Sequence, residues 1–363
     1  MKVLIVSSPT GGHLYPAMAA ARELADMGHE SVFVTRRGTS FTVLVRQELR
    51  GMPVRCIGLG GGPVPRRNPV ALPFAVAGIL GAVVESVQLI ARERPRAILG
   101  TGGYSVVPVL AASRLFPRIP VILHEQNRTF GLANRFAAPF ARRVCLGFPV
   151  PGRRPPKYVV TGNPLRRAFG VPYDRAAARR KFGLDPDLLT LLVFGGSQGA
   201  CDLNTAVVEF LRSTGGMFGK SVQILHIAGR RDSGRVHAAY RELPVRSVVM
   251  PYCDEMHLAY TAADCAVCRA GAMTVTELLC TRTPAILVPY PYAAGLHQHF
   301  NAAYLAELGG ARVVHQVGAW KRRLGGHIAD IVQDPKILYT MRNAVSKVQQ
   351  PARSLASAVV ECI

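Results

Sequence analysis

At 363 residues the chain is longer than one core usually organises and suits two domains. Its 49% hydrophobic content, with 35 glycines and 26 prolines scattered rather than repeated, excludes a disordered, fibrous or low-complexity protein. The net charge of +22 is uneven: residues 1–163 hold 21 basic and 7 acidic side chains, so the first half suits an anionic surface. No zinc-finger spacing or aromatic–basic interleaving accompanies that charge. Acidic lipid is therefore expected as partner, and nucleic acid is not.

Eight cysteines stand at irregular spacings in a chain whose opening residues are expected to form a strand and not a signal peptide. That predicts a reducing, cytosolic setting without disulfides. Cys265 and Cys268 have C-x-x-C spacing, but on a strand positions i and i+3 point to opposite faces. No second Cys or His pair completes a site, so neither metal nor cofactor is expected.

Taken in order, the elements alternate. A strand over 2–7 ends at Thr10-Gly11-Gly12-His13 and opens a helix over about 14–27. Strands follow at 31–35 and 53–57, then a helix at about 70–92. Within it, Pro69 to Val84 carries no charge for 16 residues, which is shorter than the ~20 a membrane span needs, and it contains Pro73. Three readings stand: a helix buried against the sheet, an amphipathic helix docked on an anionic bilayer beside Arg66, Arg67, Arg92, Arg94 and Arg96, or a transmembrane helix. A strand at 96–99 runs into Gly100-Thr101-Gly102-Gly103-Tyr104 and a helix over 105–115. The next strand, 119–123, runs into His124-Glu125-Gln126-Asn127. After the proline-rich stretch Pro149 to Pro156, the domain boundary is expected near Gly162-Asn163-Pro164. The second half repeats the plan, with strands near 188–194, 222–227, 247–250, 264–268 and 285–288. Alternation of this kind predicts an α/β protein of two Rossmann-like, doubly wound parallel-sheet domains.

The chemistry sits where strands end. Gly195-Gly196-Ser197-Gln198-Gly199-Ala200 lies between a strand and a helix-like stretch from Leu203. A helix start leaves backbone N–H groups unpaired, its dipole favours anions, and glycine lets the backbone approach a diphosphate. Three such turns, split between two halves, predict two nucleotide-fold domains facing a shared central cleft. His13 and the His124–Asn127 cluster occupy carboxyl ends of strands, the usual place for a site in such sheets. Arg269 to Glu277 opens another helix; its start suits a diphosphate, and Glu277 stands about one turn further in, where it suits ribose hydroxyls. His297, Gln298, His299 and Asn301 suit sugar hydroxyls better than a metal, since no carboxylate accompanies them.

Thr10-Gly11-Gly12-His13 with Pro16-Ala17, Gly100 to Tyr104, His124 to Asn127, Gly162 to Arg166, Gly195 to Ala200, Arg269 to Glu277, and His297-Gln298 with Asn301-Ala302 occur in that order. Together they resemble the MurG glycosyltransferases, over nearly the whole chain. The resemblance implies a GT-B fold and an inverting, metal-independent transfer of N-acetylglucosamine. The donor would be UDP-N-acetylglucosamine, and the acceptor the C4 hydroxyl of lipid I, an undecaprenyl-diphosphate muramyl-pentapeptide. The product would be lipid II for peptidoglycan, made at the cytoplasmic face of the cell membrane by a peripheral enzyme. Residues 1–163, completed by a C-terminal helix at about 340–363, would take the acceptor; residues 164–339 would take the donor.

Residue roles follow by position in the same resemblance. Thr10, Gly11, Gly12, Gly102, Gly103 and Tyr104 would face the acceptor diphosphate. Ser197 and Gln198 would touch the donor diphosphate, with Ala272, Met273 and Thr274 at the second helix start; Asn127 and Arg166 would also face the donor. Tyr252 and Cys253 would flank the uracil, Met256 would close that pocket, Glu277 would hold the ribose, and His297 with Gln298 would read the sugar. The base is His13 or Glu125. Three departures from the family pattern stand out: Ser8-Pro9 replaces the usual glycines and removes one N–H donor, Arg128 follows Asn127, and Gly295-Leu296 stands where an acid is common. Rival readings are another GT-B UDP-sugar transferase, acting on a glycolipid or small acceptor, a UDP-N-acetylglucosamine 2-epimerase, and a non-catalytic binding paralogue, for which only the Ser8-Pro9 change speaks.

Overall fold

The computed structural model describes residues 1–38, 40–60, 72–196, 199–217, 221–349 and 351–363. The chain divides into two compact units, residues 1–166 with 350–363, and residues 167–349.

In the first unit β1 (Lys2–Val6), α1 (Gly11–Asp26), β2 (Glu30–Arg36), α2 (Ser40–Glu48), β3 (Val54–Leu59), α3 (Leu72–Glu93), β4 (Ala97–Gly100), α4 (Val106–Ser113), β5 (Val121–Glu125), α5 (Leu132–Ala137), β6 (Arg143–Leu146) and β7 (Tyr158–Val160) alternate. They form a seven-stranded parallel sheet in the order β3-β2-β1-β4-β5-β6-β7. The continuous apolar run of β1 fits a strand covered on both faces. Val3 and Ile5 meet Leu14, Ala17 and Leu24 of α1 on one side; Leu4 and Val6 meet Leu89 and Ile90 of α3 and Val109 of α4 on the other.

The second unit runs α6 (Arg175–Lys181), β8 (Leu189–Phe194), α7 (Cys201–Ser213), β9 (Val222–Ile227), α8 (Ser233–Arg241), β10 (Arg246–Met250), α9 (Met256–Ala262), β11 (Cys265–Cys268), α10 (Ala272–Thr281), β12 (Ala285–Leu287), α11 (His297–Glu307), β13 (Ala311–Val313), α12 (Trp320–Gln333) and α13 (Pro335–Ser346). Its six strands are parallel, in the order β10-β9-β8-β11-β12-β13.

The proline-rich stretch 149–156 joins β6 to β7 within the first unit, whose first segment ends at Arg166. One expectation changes. In place of one helix over about 340–363 there are two. Asp334 caps α13 by accepting from the Lys336 N–H, and Pro335 stands at the first helical position. Ser354 caps α14 (Leu355–Val360) by accepting from the Ser357 N–H at 3.1 Å. α13 stays in the second unit, whereas α14 packs on α1 and closes the first unit's core with Leu355, Ala356 and Val359. Arg143 ties it down through the Ala358 carbonyl at 3.1 Å and Glu361 at 2.8 Å.

A buried polar network in the second unit carries a pH prediction. His226 on β9 donates from Nε2 to Asn204 Oδ1 at 3.0 Å and accepts at Nδ1 from the Tyr240 hydroxyl at 3.1 Å. Burial pushes it down to about 3. An unfolded histidine takes its proton near pH 6.5. The folded unit refuses that proton, so stability is full above about pH 6.5 and falls as pH drops toward 3. Between about pH 6.5 and 4.5 the loss is roughly 2–3 kcal/mol. Calorimetric melting at pH 7.5 and 5 should show it, and His226→Gln should flatten the difference. Equal wild-type midpoints at both pH values would refute this account.

Candidate active site

In the first unit the turn after β1 starts α1 with Thr10 as its N-cap, placing His13 in the first helical turn. The turn after β4 lies against it. Gly103 has φ +79°, and a Cβ there would stand 2.2 Å from Ser8 Oγ. That hydroxyl accepts from the Ser105 N–H at 3.1 Å. The Ser8 departure thus has a structural use, joining the two glycine turns. Thr10 and Gly12 are exposed, Gly11 and Tyr104 are partly exposed, and Gly102 is buried.

His13 packs its ring on Gly102 and Gly103, and donates from Nδ1 to Gln126 Oε1 at 2.8 Å. Gln126 Nε2 donates to the Thr101 carbonyl at 2.8 Å and to His124 Nδ1 at 3.0 Å. His124 Nε2 donates to the Gly162 carbonyl at 3.1 Å. Burial lowers His124 to about 4, so it is neutral at pH 7. Glu125 points elsewhere. Its Oε1 accepts from the Asn127 backbone and side chain at 3.1 and 3.2 Å, and its Oε2 from the Gly131 N–H and Asn134 Nδ2, both at 2.9 Å. Four donors occupy this carboxylate, which holds the 125–134 segment in shape.

Thr101, His124 and Gln126 stand in the sequence only as members of their clusters, with no role of their own. The signal was available: a strand's period of two puts His124 and Gln126 on one face and Glu125 on the other.

In the second unit the glycine turn after β8 is closed by Gly199 N–H on the Gly196 carbonyl at 2.9 Å. Gly199 has φ +76°, and a Cβ there would meet the Ala228 carbonyl at 2.6 Å, so no side chain fits. Ser197 and Gln198 lie outside the described residues. The turn before α10 is held from three sides. Gln298 Oε1 accepts from the Ala270 and Tyr290 N–H groups at 3.2 and 2.9 Å, and Asn301 Nδ2 donates to the Ala270 carbonyl at 3.2 Å. Arg269, buried, reaches the Val288 carbonyl at 3.1 Å and Gln316 Oε1 at 2.6 Å. Gln298 thus spends its carbonyl end on structure, and its NH₂ is the end suited to donate to a ligand.

His297 donates from Nδ1 to the Ala294 carbonyl at 2.7 Å, leaving Nε2 as an acceptor. Ahead of it, Gly295 and Leu296 both adopt left-handed backbone, with φ 60° and 52°. Glu277, in the second turn of α10, accepts from the Tyr260 hydroxyl at 2.9 Å. Tyr260 is buried, edge-on to Phe194 with ring centroids 5.7 Å apart. Tyr252 is exposed beneath Arg230, Cys253 and Ala272 are buried, and Met256, Met273 and Thr274 are partly exposed. The second unit thus gathers Ala272, Glu277 and Gln298 around the start of α10. Asn127 and Arg166 belong to the first unit. Among the described residues no group of three or more His, Cys, Asp or Glu side chains is placed to hold a metal ion.

Two parallel-sheet domains with glycine turns at the carboxyl ends of their strands are the architecture of GT-B glycosyltransferases. Residues 3–146 match the glycosyltransferase family 28 N-terminal domain, and residues 190–358 match the family 28 C-terminal domain. The chain is 38% identical to the UDP-N-acetylglucosamine--N-acetylmuramyl-(pentapeptide) pyrophosphoryl-undecaprenol N-acetylglucosamine transferase of Rhizobium meliloti, over 99% of this chain and 95% of that one. A relative of the same name from Prosthecochloris aestuarii is 37% identical, over 98% and 96%. The crystal structure of Acinetobacter baumannii MurG superposes with a TM-score of 0.78 at 26% identity, over 99% of this chain and all of that one. A UDP-N-acetylglucosamine 2-epimerase shares the fold alone, with a TM-score of 0.65 at 13% identity over 99% of this chain and 93% of that one. The chain belongs to the MurG family of glycosyltransferases.

Proposed function

We propose that this protein moves N-acetylglucosamine from UDP-N-acetylglucosamine to the C4 hydroxyl of lipid I. The second unit holds the donor, with Glu277 on the ribose, the glycine turn and the start of α10 on the diphosphate, and His297 with Gln298 on the sugar. The first unit holds the acceptor diphosphate at its two glycine turns. His13 Nε2 takes the proton from the hydroxyl while the new C–O bond forms at the anomeric carbon, and the bond to the UDP oxygen breaks with inversion. The observation that carries this reading is the fixed His13 imidazole: its Nδ1 proton is committed to Gln126, so Nε2 keeps the lone pair. Incubation with UDP-N-acetylglucosamine should release UDP only when a lipid I analogue is present. Epimerised sugar without acceptor, or no turnover at all, would overturn the assignment.

We also propose that the first unit docks on an anionic membrane. α3 is long and apolar enough to cross a bilayer by length and composition, alone in this among the described residues. Yet Phe74, Leu80 and Val84 are exposed on it, while Leu89 and Ile90 are buried in the sheet's core. Arg66, Arg67 and Pro69 to Ala71 lie outside the described residues. α4 packs beside both α3 and α5, and Val107, Leu132, Phe136 and Phe140 add exposed apolar surface that sequence reasoning missed. At the end of the strands opposite His13, Val107, Phe136 and Phe140 line a groove of about 1430 Å³ together with Arg94, Arg96, Arg114, Arg118 and Arg142. Exposed apolar side chains beside clustered cations suit insertion between acidic headgroups.

The protein should therefore sediment with phosphatidylglycerol vesicles in low salt and less in high salt, since each arginine contributes roughly 1 kcal/mol, screened over about a Debye length. Phe74→Ser with Leu80→Ser should lower vesicle partitioning by about tenfold or more at every salt concentration, with an unchanged melting midpoint. Wild-type protein that ignores acidic vesicles in low salt would refute the docking proposal.

A further inference from the structure

The hydrogen bonds around His13 run in one direction only. Gln126 Nε2 lies 2.8 Å from the Thr101 carbonyl and 3.2 Å from that of His124. A turned amide would put its oxygen against both of those oxygens, so the NH₂ must stand there and Oε1 must face His13. Its second N–H reaches His124 Nδ1, which therefore accepts. Neutral His124 has one proton, held on Nε2 by the Gly162 carbonyl. The order is thus carbonyl of Gly162, His124, Gln126, His13, each ring nitrogen's role dictated by its neighbour. At the end His13 can only donate from Nδ1.

We infer that Gln126 is a positioning residue that sets the tautomer of His13, holding the proton on Nδ1 so that Nε2 stays basic toward the acceptor hydroxyl. An isolated neutral histidine has no such constraint and populates both tautomers, one of which carries a proton where the base must be empty. Gln126 touches no reacting atom in this account; it acts through His13. The inference rests on the reading of His13 as base, and it can fail separately from that reading.

The first test needs no variant. Long-range ¹H–¹⁵N spectra of wild-type protein labelled with ¹⁵N-histidine, with His13 and His124 assigned by loss of signal in single substitutions, should show an Nδ1–H tautomer for His13 and Nε2–H for His124. His13 found as Nε2–H overturns the inference, whatever the kinetics. The second test separates positioning from packing. Gln126→Met removes both ends of the amide and should lower kcat on the order of 10²–10⁴-fold, the range seen where a base loses its correct tautomer, with donor KM changed less than threefold. Gln126→Glu keeps an acceptor for His13, and the oxygen that replaces the NH₂ faces the Thr101 and His124 carbonyls and so carries a proton to donate there; more kcat should be retained than in Gln126→Met. Equal kcat losses in both variants overturn the inference. Near-normal turnover in His13→Ala, with the Nδ1–H tautomer observed in the wild-type protein, would instead refute the base reading alone.

Discussion

His13→Ala is expected to lower kcat by about 10²–10⁴-fold with the donor KM nearly unchanged. The donor is assigned to the second unit and His13 belongs to the first, so the substitution removes a proton acceptor without touching nucleotide contacts. Glu125 is the weaker candidate on geometry: it lies on the opposite face of β5, and its two oxygens accept from Asn127, Gly131 and Asn134. Glu125→Gln would turn an NH₂ toward donors that have lost their acceptor. Its expected effect is a lower melting midpoint and a raised acceptor KM. Single-turnover rates at saturating substrates decide the matter. A loss under tenfold in His13→Ala, beside a larger kcat loss in Glu125→Gln, would move the proton transfer to the carboxylate.

Glu277→Ala should raise the donor KM by about 10–100-fold and leave kcat within a few-fold. A carboxylate accepting from ribose hydroxyls makes charge-assisted bonds worth on the order of 1.5–3 kcal/mol. The structure adds a reason for the upper part of that range. Tyr260, fixed among aromatic rings, holds one carboxylate oxygen in place, so little side-chain freedom is lost on binding. Tyr260→Phe should therefore raise KM in the same direction by a smaller factor. Isothermal titration with UDP gives the direct comparison, and an unchanged affinity in Glu277→Ala would remove that residue from the ribose site.

Strand and helix positions were legible because buried parallel strands read as apolar runs and the glycine turns that end them have few other uses. β1, β8 and β9 are such runs, and each falls within a residue or so of where periodicity places it. The short edge strands β7 and β13 escaped, since three residues carry too little pattern and Pro149 to Pro156 masks the approach to one of them. At the site, spacing identified which loops matter but not which atoms face which. His124-Glu125-Gln126-Asn127 is one string of polar residues, and the choice of Gln126 over Glu125 as the group beside His13 needs the sheet's alternation together with the approach of Gly162, 38 residues beyond His124. The apolar face over α4 and α5 was invisible for a related reason. Val107, Phe136 and Phe140 read as core until a structure leaves them uncovered.

The path of the backbone also bears on how the molecule is made. Leu355, Ala356 and Val359 wall off one side of the first unit's core, yet they are made only after the whole 167–349 unit. The intervening unit, one uninterrupted stretch from 167 to 349, has everything it needs earlier. At roughly 5–20 residues per second, the nascent first unit waits about 10–40 s with α1 open on one flank. Assembly here runs against the usual order of synthesis: the middle of the chain is complete before its beginning, which stays unfinished until residues 355–360 emerge.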